Sequence, residues 1–159
     1  MERKKLDTTL TLIIKGDKVL LAEKKRGFAA DKINAFGGKL EKGETIEQAM
    51  IRETQEECGV TPVSYKKVGE VEYDMYYKGE KTLMNMFVYI CDKYEGGIIE
   101  TEEMKPIWFD LDKVPFDRMF DNDRIWLPLV LEGKKIKGKC KFDKDDNEIS
   151  RKIKEVSFF

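Results

Sequence analysis

Three glutamates, Glu53, Glu56 and Glu57, stand at a spacing that would gather carboxylates on one side of a helix. At about 100° per residue they fall within an arc of roughly 100°. Like charges at i, i+3 and i+4 repel, so this arrangement weakens a helix unless a cation lies over it. A hydrated hard dication answers that repulsion: Mg²⁺, with Mn²⁺ as the alternative, takes carboxylate oxygens and keeps positions for water and phosphate. Arg52 can pair with Glu56 one turn on and hold that carboxylate in place. Upstream, Phe36-Gly37-Gly38-Lys39 is a glycine-rich approach that lets backbone come close to a phosphate or metal. The bland alternative is a solvated, charge-rich helix face.

The chemistry open to this chain is narrowed by a complete absence of histidine. Ser-His-Asp and Cys-His catalysis, imidazole bases and the commonest zinc ligands are excluded. Cys58, Cys91 and Cys140 are odd in number, far apart and without a C-x-x-C pair, which reads as reduced thiols, not a disulfide frame or zinc site.

These groups need a scaffold. Residues 8–14 and 18–23 are β-rich runs about a Gly16-Asp17 turn and predict a hairpin. A helix is expected from Ile46 to Cys58, with Thr45 and Gln48 as a capping box and Gly59 as its stop. Ile46, Met50 and Ile51 form the face that packs on a sheet, and Thr54 points to the core. Strands are expected at residues 68–77, 82–91, 107–109, 136–142 and 149–156. A second helix covers residues 123–132, with Pro128 expected to kink it or delay its start. The result is one α+β domain over residues 1–159, with a mixed β-sheet carrying helices on its faces.

Lysine plus arginine (30) nearly balance aspartate plus glutamate (31), so charge alone implies no nucleic-acid partner. No apolar run approaches the roughly 18 residues of a membrane span. The charged start lacks the apolar segment of a signal peptide, so the expected location is cytoplasmic. Nothing in the residues names a protein partner.

The pattern from Gly38 through Glu44, Arg52-Glu53 and Glu56-Glu57 to Gly59-Val60 resembles the Nudix signature, departing only at Thr54, where an aliphatic residue is usual. The resemblance implies a Nudix-type α/β/α sandwich and pyrophosphate cleavage by an activated water. Glu53, Glu56 and Glu57 would bind the metal, the Gly37 carbonyl would be a further ligand, and the substrate would be a small nucleotide.

Beyond the box, the chain resembles the animal-type oxidised purine nucleoside triphosphatases (8-oxo-dGTP diphosphatases). Residues 24–28, Asn34 with residues 36–39, residues 102–106, and Asp123 with Trp126 carry the likeness. It implies that Asn34, Asn122 and Asp123 hydrogen-bond the base edge while Phe28 and Phe120 line its faces. Thr9, Lys24, Phe36, Gly38 and Lys39 would lie near the substrate, and Glu103 would join the metal site or act as base. Bland readings stand beside these: a solvated strand end at Lys24, a surface pair at Glu102-Glu103, a helix N-cap at Asn122-Asp123, and core rings at Phe28 and Phe120.

As aligned, the family has tryptophan at Phe120 and Ile33, and aspartate at Asn122. Two adjacent carboxylates can share a proton and serve either as donor or acceptor, so an Asn-Asp pair should select bases more narrowly. Other readings are a different Nudix substrate (a dinucleoside polyphosphate, ADP-ribose or an ordinary dNTP), a nucleotide sensor without turnover, or an isomerase built on the same box.

Overall fold

The computed structural model describes residues 3–27 and 29–159. Alternating apolar residues make β1 (Lys4–Lys15) a two-faced strand: Leu12 faces one core and Ile13 the other. Gly16, at φ 61°, turns the chain into β2 (Lys18–Lys24). Two short strands follow, β3 (Ile33–Asn34) and β4 (Phe36–Lys39), then α1 (Ile46–Cys58). The long strands β5 (Thr61–Tyr77) and β6 (Glu80–Glu95) precede β7 (Met104–Asp110), a 3-10 turn (Phe116–Arg118), α2 (Asp123–Leu131), β8 (Lys135–Phe142) and β9 (Glu148–Val156).

The strand order is β3-β2-β1-β6-β5-β8-β9, with β4 paired to β1 and β7 to β2. The pairs β1·β6 and β5·β8 are parallel and the others antiparallel, so the sheet is mixed. On one face Leu12, Val71, Val88 and Ile136 pack with Trp126, Leu127 and Val130 of α2. On the other, Ile13, Leu20, Phe36, Val60 and Cys91 pack with Cys58 of α1. This is the α+β sandwich expected from the sequence.

α1 begins as predicted. The Thr45 hydroxyl accepts from the Gln48 amide, the Gln48 side chain accepts from the Thr45 amide, and Gly59 closes the helix at φ 83°. Its buried residues are Ala49, Met50, Thr54 and Cys58, whereas Ile46 and Ile51 are only half-buried. Thr54 is fully buried, and its hydroxyl is satisfied by the Met50 carbonyl at 2.8 Å and the Thr11 hydroxyl at 3.1 Å.

Several elements differ from expectation: β1, β6 and β7 run beyond the expected residues 8–14, 82–91 and 107–109. β5 starts at Thr61 instead of residue 68; register shifts between Pro62 and Gly69 break the two-residue alternation by which a strand is read. α2 starts at Asp123 with Pro128 inside it, so proline does not delay the helix. The three cysteines are buried and free. Among the described residues, no helix is long and apolar enough to cross a membrane.

Candidate active site

Arg52 organises the acidic face of α1, chiefly through a partner the sequence reading left without a role. It donates to Glu44 twice, from Nε at 2.7 Å and Nη2 at 2.9 Å, closing a planar fork on one carboxylate. Nη1 donates to Glu53 at 2.9 Å, and Nη2 also reaches the Lys39 carbonyl at 3.1 Å. The expected Glu56 pair is present at 3.3 Å, but it is the longest of these side-chain contacts and the Glu56 side chain is 60% exposed. Glu44 additionally accepts from the Glu41 amide at 2.7 Å, tying the loop before α1 to the same cation.

The glycines of β4 serve packing against this face. A Cβ at Gly38 would stand 2.5 Å from the Glu53 carboxyl carbon, and one at Gly37 only 1.8 Å from the Thr9 carbonyl oxygen. The Gly37 amide donates to Glu57 at 2.7 Å. Burial pushes the Glu57 carboxyl up to about 7, aided by the charges of Glu53 and Glu103 and opposed by the Gly37 amide and Lys24. Burial also raises Glu53, against the pull of Arg52.

Lys24 and Glu103 thus act on the same carboxylate as the helix glutamates. Glu103 lies on the loop before β7, held by Arg26 at 2.9 and 3.0 Å. The Thr101 hydroxyl donates to the Glu57 carbonyl at 3.2 Å and accepts from the Glu103 and Met104 amides, fastening this loop to the end of α1. Among the described residues, no three Cys, Asp or Glu side chains close into a metal cage; the carboxylates stand beside one another, held by Arg52, Arg26 and Gly37.

A second polar group forms at the start of α2, against the other face of the sheet. Asn122 does not cap the helix through its side chain: its Oδ1 accepts from the Tyr73 hydroxyl at 2.7 Å, and its Nδ2 faces Cys140 Sγ at 3.5 Å. Asp123, 9% exposed, accepts from the Phe120 amide at 3.2 Å. Burial pushes its carboxyl up to about 6. The hydroxyl of Thr9 is buried with no hydrogen-bond partner among the described residues, and the buried indole N–H of Trp126, although outside full hydrogen-bond geometry, holds down the pKa values of Asp123 and Tyr73. The Lys32 ammonium lies 5.3 Å from the Phe120 ring centroid and its charge reaches Asp123, bringing the segment before Asn34 alongside this group.

Residues 4–130 match the NUDIX domain family. This chain belongs to the Nudix hydrolase family. It is 45% identical over 148 residues to an oxidized purine nucleoside triphosphate hydrolase of Danio rerio, covering 93% of this chain and 94% of the relative. The Mus musculus protein of the same name is 40% identical over 151 residues, covering 95% and 96% of the two chains. Among solved structures, a MutT protein of Bacillus halodurans superposes with a TM-score of 0.78 at 25% identity, covering 93% and 97% of the two chains.

Within this Nudix scaffold the sequence-predicted residues divide. Glu53, Glu57, Gly37, Gly38, Arg52, Lys24 and Glu103 come together on the α1 side, with Glu56 at the exposed margin. Phe120, Asn122 and Asp123 come together at α2. Half-buried Asn34 accepts from the Ala35 amide at 2.9 Å, and exposed Lys39 lies 4.8 Å from the Tyr77 ring centroid. Phe36 is corrected: it is fully buried in the core beneath α1 and offers no surface to a substrate. Phe28 lies outside the described residues. Glu44 and Tyr73 were missed. Glu44's place eight residues before Arg52 was a usable signal; nothing local marked Tyr73. A groove of about 560 Å³, lined by Phe87, Lys137, Lys139, Lys152 and Lys154 among others, contains neither group.

Proposed function

We propose that this Nudix hydrolase cleaves oxidised purine nucleoside triphosphates such as 8-oxo-dGTP, giving the nucleoside monophosphate and pyrophosphate. The observation that carries the reading is the buried Asp123 carboxyl, raised to about 6 by desolvation, with the buried Trp126 N–H beside it. A carboxyl in that range can donate or accept near neutrality, and its desolvation is offset when a polar base edge meets it. The likeness to the Danio rerio and Mus musculus enzymes favours an oxidised purine as that base.

The donor set at α1 fits a hard dication. It offers carboxylate oxygens alone, and one guanidinium is shared among Glu41, Glu44, Glu53 and Glu56 while Glu57 is half-buried. Glu53, Glu56 and Glu57 would hold Mg²⁺, or Mn²⁺, with Glu103 and the Gly37 carbonyl as further candidates. When bound, such an ion supplies charge neutralisation on the phosphates and lowers the pKa of water. Arg52 orients Glu53 and Glu56. Glu57 or Glu103 would take a proton from water, and Lys24 and Lys39 would offer cations to the phosphate chain. Asn34, Asn122 and Asp123 read the base edge, and Phe120 covers its face.

The test is pyrophosphate release from 8-oxo-dGTP and dGTP, with and without Mg²⁺, for the wild type and Glu56→Gln. A strong preference for the oxidised nucleotide, with turnover cut by orders of magnitude in the variant, is expected. Hydrolysis of neither purine, with activity on ADP-ribose or a dinucleoside polyphosphate, would discard the substrate reading. A variant that kept most of the rate would remove Glu56 from the metal site.

A further inference from the structure

The base-edge reading above rests on Asn122 and Asp123, yet the two residues are held very differently. Asn122 is 8% exposed and both ends of its amide are engaged, Oδ1 by the Tyr73 hydroxyl at 2.7 Å and Nδ2 by Cys140 Sγ at 3.5 Å. Tyr73 is itself 8% exposed, and Asn122 is its one hydrogen-bond acceptor among the described residues. Desolvation drives its ionisation far upward, so the phenol keeps its proton and remains a donor. Turning the amide over would set the Asn122 NH₂ against that O–H and leave a buried proton without an acceptor, at the cost of a buried hydrogen bond.

We infer that Tyr73 is a specificity-determining residue: by locking the Asn122 amide, it gives the base site a fixed donor pattern and leaves Asp123 as its single switchable group. The inference rests on the purine reading and deepens it. With the amide locked, Asn122 presents only N–H on the side away from Tyr73, and the Trp126 N–H, 1% exposed, lies beside Asp123 with no acceptor in full hydrogen-bond geometry among the described residues. Two N–H groups that cannot become acceptors favour a base edge rich in acceptors. A purine with a carbonyl at its 6-position suits them, whereas a 6-amino purine presents a donor to donors and leaves buried groups unpaired. A freely rotating amide would serve both.

Tyr73 acts through Asn122, so it is a positioning residue and its removal should alter selectivity. The experiment measures kcat and KM for 8-oxo-dGTP and 2-hydroxy-dATP with the wild type and Tyr73→Phe, which keeps the ring and deletes the hydroxyl. The wild type should prefer the 6-oxo nucleotide. Tyr73→Phe should compress that preference by about tenfold, the scale of one buried hydrogen bond, with the change falling in KM for the 6-amino substrate more than in kcat.

The Asn122 side-chain amide, observed by NMR, gives a readout independent of turnover. In the wild type its two protons should appear as one sharp, slowly exchanging pair, and in Tyr73→Phe they should broaden or exchange rapidly. A preference unchanged within about twofold in Tyr73→Phe would overturn the inference while leaving the purine reading standing. So would a rapidly exchanging Asn122 amide in the wild type, which decides the matter even if the variant fails to fold. Hydrolysis of neither nucleotide by the wild type would instead remove the purine reading, and this inference with it.

Discussion

Asp123 makes the stability of the metal-free protein depend on pH in a direction that can be worked out in advance. Its carboxyl is 9% exposed and its pKa is raised from 3.8 to about 6, desolvation outweighing the Phe120 amide, Trp126 and Lys32. The folded state therefore holds this proton more tightly than the unfolded chain. Below about pH 4 both states are protonated and the group costs nothing; above about pH 6 the folded state carries a buried charge. Stability falls across that window and levels off above it. A difference of about 2 pKa units corresponds to about 3 kcal/mol at 1.36 kcal/mol per unit.

Asp123→Asn removes the titration yet keeps an oxygen to accept from the Phe120 amide. Urea unfolding of both proteins in chelator at pH 4 and pH 8 should show the wild type losing most of that 3 kcal/mol relative to the variant. Glu57 titrates in both proteins, and its contribution cancels in the difference. Parallel pH profiles would refute the reasoning, since a carboxyl with an ordinary pKa cannot generate the divergence. The variant should also lose base selectivity more than pyrophosphate chemistry; equal losses on all nucleotides would count against Asp123 as a base reader.

The paired glycines of β4 should fail in different ways. In Gly38→Ala the new Cβ meets only the end of the Glu53 side chain, which can move aside, so turnover should drop about 10- to 100-fold with the urea midpoint nearly unchanged. In Gly37→Ala the Cβ meets the Thr9 backbone oxygen at 1.8 Å, so the loss should be of stability, roughly 1–3 kcal/mol or more. Equal effects on both measurements in both variants would refute the distinction. Magnesium binding should lower the Glu57 pKa from about 7 and release on the order of half a proton at pH 7. Calorimetry in two buffers of different ionisation enthalpy reads this directly, and buffer-independent heats would place the ion away from Glu57.

Local rules were enough for α1. Thr45, Gln48 and Gly59 are short-range signals, and the helix they bound presents its glutamates as their spacing requires. The hairpin of β1 and β2 was legible for the same reason. β5 was not legible at its start, because bulges between Pro62 and Gly69 shift side chains off the two-residue period. The site was legible where the chemistry is strange and opaque where it is supportive. Three like charges on one helix face demand explanation, whereas Glu44 and Tyr73 matter through contacts eight and forty-nine residues away. Phe36 was misplaced by resemblance, and alternation along β4 together with one packing contact explains the correction. It shares a sheet face with Gly38, two residues on, and Gly38 abuts Glu53 of α1, so Phe36 must also lie beneath that helix.

The two polar groups manage charge in opposite ways, and that contrast bears on how the enzyme divides its work. On the α1 side several carboxylates share one guanidinium, whose fork lowers the pKa of Glu44, an arrangement that holds negative charge ready for a cation. At α2 a single carboxyl is buried with no ion pair among the described residues, and desolvation raises its pKa to about 6. A group reading hydrogen bonds gains from desolvation, because mismatches then become costly. A group neutralising phosphate gains from fixed charge instead. Placing them against opposite faces of one sheet lets each keep the electrostatic environment that the other would spoil.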